Sequence, residues 1–132
     1  MFNPRFPSLP ADAAAGRAES PELGALPEWD LSHLYPGATS PEFAGDFDDA
    51  ARKARAFSER WKGHLADAAG RTGDDGLGAA TETYEAIGDT LGRLGSFAGL
   101  SYYANAADPA LRKLYGDTST RITEIYADLL FF

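Results

Sequence analysis

The chain predicts an all-α fold built from long antiparallel helices. Three observations carry this reading. Apolar residues recur at intervals of three and four in three separate stretches, and a capping side chain precedes proline at both Ser40-Pro41 and Asp108-Pro109. No stretch alternates apolar and polar residues as a half-buried strand would.

Met1 to Glu28 contains Pro4, Pro7, Pro10, Pro21 and Pro27, interspersed with Arg5, Asp12, Arg17, Glu19 and Glu22. It lacks the continuous apolar run a signal peptide needs, and residues 1–27 read as a disordered Pro/Ala-rich tail ahead of a helical domain over 28–132. Trp29-Asp30-Leu31-Ser32-His33-Leu34-Tyr35 follows, with four large apolar side chains in seven residues. Too short for a stable helix and too apolar to stand in water, this segment is expected to dock on the body before Pro36-Gly37 turns the chain.

The first helix starts at a Ser40 cap with Pro41 in its first turn, and Glu42 and Asp46 place negative charge near the positive end of its dipole. Phe43, Phe47, Ala50, Ala54, Phe57 and Trp61 trace one face as far as about Lys62. Gly70 to Gly78, with four glycines and two aspartates, reads as a loop.

A second helix is expected from near Leu77 to Ala104, with Leu77, Ala80, Tyr84, Ile87, Leu91, Leu94 and Ala98 on its apolar side. Gly88, Gly92, Gly95 and Gly99 form a second stripe beside it. At about 1 kcal/mol each relative to alanine they cost roughly 4 kcal/mol, which predicts a neighbouring helix at short distance. Phe97 and Leu100 lie on the other side, so the Leu94 to Tyr103 part needs burial on two faces, more cover than three helices alone readily supply.

Asp108-Pro109 opens the third helix, whose apolar positions fall at Leu111, Tyr115, Ile122, Ile125, Leu129 and Phe132. The stripe is still repeating at the last residue, with no glycine, asparagine or proline to close it and no basic cluster in the final turn. The expectation is an N-terminal part of a longer protein, with an apolar surface that a dye such as ANS would detect.

Composition narrows the classes of function. Of 132 residues 44% are hydrophobic, enough for one core, and a net charge of -8 repels phosphate backbones and anionic lipid, so neither nucleic acid nor membrane is an expected partner. The longest uncharged stretch, Leu94 to Ala107, is well short of the roughly 20 residues that span a bilayer. With no cysteine there is neither disulfide nor thiolate zinc site, and the cytoplasm is the default compartment.

No residue stands out as catalytic, cofactor-binding or metal-binding. His33 and His64 are the only histidines, and neither has the second imidazole one helical turn away that a His-Glu-x-x-His zinc site requires. Asp48-Asp49 are neighbours on a helix and do not converge on one point, and Asp74-Asp75 lie in a glycine-rich loop where solvated aspartates are ordinary. Ser96, Ser101 and Ser119 have no histidine in a plausible sequence context, and Tyr102-Tyr103 read as core with wetted hydroxyls.

Trp29 to Tyr35, followed about sixty residues later by Leu91-Gly92-Arg93-Leu94-Gly95-Ser96-Phe97-Ala98 and then by Tyr102-Tyr103-Ala104-Asn105-Ala106-Ala107-Asp108-Pro109, resembles the N-terminal region of the oligoendopeptidase F family. These are zinc metallopeptidases related to thimet oligopeptidase. The resemblance runs from about Leu26 to Phe132 and includes Leu129-Leu130-Phe131-Phe132. It implies an all-helical peptidase whose N-terminal helices wall a channel that admits short peptides and excludes folded proteins. In that family zinc is held by the two histidines of His-Glu-x-x-His and a downstream glutamate, and the motif glutamate activates water. None of those residues falls in this chain, so the resemblance assigns it no catalytic or metal position. The expected partners are a C-terminal catalytic domain of the same polypeptide and short peptide substrates, with zinc as the cofactor of the intact enzyme. The alternative is a stand-alone helical interaction module that uses the third stripe to dimerise or grip a partner helix.

Overall fold

A computed structural model describes residues 29–132, so the tail expected over 1–27 lies outside the described residues. The fold is all-α, with no strand among them: α1 spans Pro41–Trp61, α2 is a single turn at Leu65–Ala68, α3 spans Leu77–Ala104 and α4 spans Pro109–Ala127. The central helix is α3, which packs along α1 on one side and α4 on the other, while α1 and α4 touch only briefly. Phe43 of early α1 meets Phe97 of late α3, and Phe57 of late α1 meets Tyr84 of early α3, so the two run antiparallel.

α1 forms where its sequence says it should. The Ser40 hydroxyl accepts the Phe43 N–H at 3.2 Å, Pro41 occupies the first turn, and the six apolar residues of its face are all buried. The helix ends where Gly63 takes φ +84°, a left-handed conformation that favours glycine. The expected loop over 70–78 is shorter: a 3₁₀ turn occupies Gly73–Asp75 and α3 has begun by Leu77. Gly76 is required at its end, because a Cβ there would lie 2.6 Å from the Arg71 carbonyl oxygen.

The burial of α3 follows its pattern, with Ile87, Leu91 and Leu94 the largest fully buried side chains. Each contributes about 1.5–3 kcal/mol relative to exposure. Its first apolar residue, Leu77, stays partly exposed. The opposite face is covered from within the chain: Phe97 packs at 5.4 Å from both Tyr35 and Phe43. The segment ahead of α1 thus supplies the second face, with Leu31, Leu34 and Tyr35 on the core and Trp29 exposed.

The glycine stripe faces α4 at three of its four positions. A Cβ at Gly95 would stand 3.3 Å from Ile122 Cδ1, one at Gly99 3.7 Å from a Tyr115 ring carbon and one at Gly88 3.9 Å from the Tyr126 hydroxyl. Gly92 departs from the expectation, since it is exposed with nothing within 4 Å of its Cβ position. Gly92→Ala should therefore stabilise the fold by about 0.5–1 kcal/mol in urea denaturation, while Gly95→Ala gains less because Ile122 must give way.

The third stripe does not run on as helix. α4 starts on the Asp108 carboxylate, which accepts the Ala110 N–H at 2.8 Å, but ends at Ala127; turns then carry Leu129 to Phe132 back over the bundle. Phe131 packs on Phe57 at 5.6 Å and Phe132 stacks on Tyr84 at 4.9 Å. These aromatic contacts take the place of another turn of solvated helix. The last carbonyls are met by close turns instead, Leu129 N–H to Tyr126 O and Phe132 N–H to Leu129 O. The apolar surface expected from an open helix is thus largely covered, leaving Leu77, Leu130 and Phe132 as the exposed remainder near this end.

Candidate functional site

The tightest polar arrangement joins three elements. Tyr35, the buried last residue of the 31–35 segment ahead of α1, donates its hydroxyl proton to Asp46 Oδ2 at 2.6 Å, and Arg93 Nε of α3 donates to that same hydroxyl oxygen at 3.1 Å. Arg93 also pairs directly with Asp46 and lays its guanidinium 5.3 Å from the Tyr35 ring centre. Burial, reinforced by the bond to Asp46, pushes the Tyr35 hydroxyl up to about 12, so it remains a neutral donor at physiological pH. Asp46 and Arg93 neutralise each other. The arrangement is a clamp that fixes the 31–35 segment across α1 and α3.

A second clamp ties α4 to α1. Arg121 donates to Asp48 Oδ1 at 2.6 Å with its guanidinium 4.4 Å from the Phe47 ring centre. Beside it the gap between α1 and α4 forms an open groove of about 640 Å³, with Ala51, Ala56 and Ile125 among charged side chains of both signs such as Arg55, Glu59 and Glu124. Mixed charge and wide opening make it a solvated seam. It offers no converging acid, base or nucleophile.

The residues singled out in the sequence are not brought together. His33 and His64 are both exposed. Asp48 goes to Arg121, Asp49 to Arg52 and Lys53, and Asp75, with the Asp74 carbonyl, to Arg60. Ser101 and Ser119 bond back to carbonyls one turn earlier in their own helices. Among the described residues no group of three or more histidine or acidic side chains could hold a metal ion. The zinc implied by the resemblance therefore does not fit the donors present here. None of the described helices is long and apolar enough to cross a membrane.

Tyr102 and Tyr103 depart from the core expectation. Tyr102 stacks on Tyr115 of α4 with ring centres 5.3 Å apart and planes 7° from parallel, while Tyr103 lies beside both and is 65% exposed. Its hydrogen bond with Tyr115 raises the Tyr103 hydroxyl above its ordinary value.

Asp46 entered the sequence reading only as a dipole-complementing charge, and Arg93 only within the second piece of the resemblance. They lie 47 residues apart, and the one signal for their meeting was a tyrosine in a docking segment, whose buried hydroxyl needs a partner. Comparison with models of protein families, with curated proteins and with solved structures finds no match to this chain.

Proposed function

We propose that this chain is the N-terminal helical scaffold of a zinc-dependent oligopeptidase of the oligoendopeptidase F type, forming one wall of a channel for short peptides and contributing no catalytic group. One observation supports this above the others: the first two pieces that carry the resemblance meet in space. Tyr35 of the first piece packs on Phe97 and bonds to Arg93, both of the second, and the third piece is the turn that returns α4 along α3. On this reading zinc and its ligands belong to a C-terminal catalytic domain, and the working compartment is the cytoplasm.

The test is a quenched fluorogenic peptide incubated with the purified chain and added zinc. A scaffold yields no hydrolysis above buffer; zinc-dependent turnover that purifies with the chain would overturn the assignment. The second reading, a stand-alone interaction module, draws on Leu77, Leu130 and Phe132, which are exposed near one end of the bundle. It requires a defined oligomer in sedimentation, where the scaffold reading expects a monomer.

A further inference from the structure

The tyrosines at the turn between α3 and α4 have the chemistry of a surface that receives proline. Tyr102 and Tyr115 form a stacked pair, Tyr103 stands beside them largely in solvent, and all three pair mainly with one another. Flat aromatic faces with hydroxyl donors at their rims recognise the polyproline II conformation: proline rings lie against the rings, and the backbone carbonyls between them accept the hydroxyl protons.

The chain carries a matching sequence. Pro4, Pro7 and Pro10 recur every third residue in Pro4-Arg5-Phe6-Pro7-Ser8-Leu9-Pro10. Polyproline II has three residues per turn, so this spacing suits one edge of such a helix. We propose that residues 4–10 dock on the Tyr102, Tyr103 and Tyr115 surface of the same molecule.

Reach favours this occupant. The described chain begins at Trp29, six residues before Tyr35, and Tyr35 is anchored on Phe97. Tyr103 lies six residues further along α3, about 9 Å along the axis at 1.5 Å per residue. The 18 residues between Pro10 and Trp29 can span up to about 60 Å, well beyond that axial rise. An occupant on the same chain meets the surface intramolecularly, so its effective concentration does not depend on that of the protein.

The absence of native cysteine allows a single nitroxide label at Ser8→Cys in the full chain, read by paramagnetic broadening of amide signals. The expected result is that Tyr102, Tyr103 and Asn105 fall to less than half of their intensity in the reduced control, while Glu59 and Thr81 keep theirs. The effect should vanish on combining Pro4→Ala, Pro7→Ala and Pro10→Ala, and on Tyr103→Ala alone, with the dispersed spectrum confirming that each variant is folded. Broadening spread evenly over the surface, or unchanged in the proline variant, would overturn the proposal. So would broadening that appears only when labelled chains are mixed with isotope-labelled unmodified ones, since the occupant would then be a second copy.

Discussion

Phe97→Ala should lower the unfolding free energy by about 3–5 kcal/mol, the range for removing a buried aromatic ring. Phe97 is 6% exposed and its ring meets both Tyr35 and Phe43, so truncation opens a cavity where the 31–35 segment, α1 and α3 join. Those neighbours are themselves large rings fixed by other contacts and have little freedom to collapse into the space. Against a total stability of about 5–15 kcal/mol for a domain of this kind, the loss is a large fraction. Urea denaturation followed by circular dichroism checks it. Leu130→Ala is the matched control, because a side chain 83% exposed contributes little to the core and its loss should change the midpoint only slightly.

Tyr35→Phe should cost about 1.5–3 kcal/mol, the range for a buried hydrogen bond to a charged partner. The ring keeps its contacts with Phe43 and Phe97, while Asp46 loses a donor at 2.6 Å and Arg93 an acceptor at 3.1 Å. The same residue gives an alkaline signature. The hydroxyl titrates near 10 in the unfolded chain and at about 12 in the folded one, so the unfolded state loses its proton first as pH rises. The contribution is fully present below pH 10 and is lost progressively up to about pH 12. Stability should fall by roughly 2–3 kcal/mol more across that window in the unmodified chain than in Tyr35→Phe, which has no such proton to lose. Equal alkaline slopes in the two proteins would show that the hydroxyl is not held between Asp46 and Arg93.

What the sequence made legible follows from which interactions are local. The boundaries and buried face of α1 were readable because Ser40, Pro41 and the spacing from Phe43 to Trp61 act within a few turns. Ile87, Leu91 and Leu94 were readable for the same reason, and the glycine stripe correctly required a close helix at Gly88, Gly95 and Gly99. Gly92 shows the limit, since a stripe fixes a sector of the helix and not which members of it the neighbour touches. The end of α4 was misread because its last apolar residues continue the helical period, whereas rings on Phe57 and Tyr84, more than forty residues away in sequence, draw Phe131 and Phe132 out of it. Cover for Phe97 was expected to need more than three helices, and Tyr35 of the 31–35 segment supplies it together with Phe43 of α1. The site followed the same division. Tyr35 was placed on the body, but its partners Asp46 and Arg93 were not, because a salt bridge across helices leaves no periodic mark.

The reading frame downstream of codon 132 tests the scaffold assignment most directly. The account predicts an open frame of several hundred codons that carries His-Glu-x-x-His and a later glutamate. A stop codon directly after Phe132, or a continuation without that motif, would contradict it and favour the interaction module.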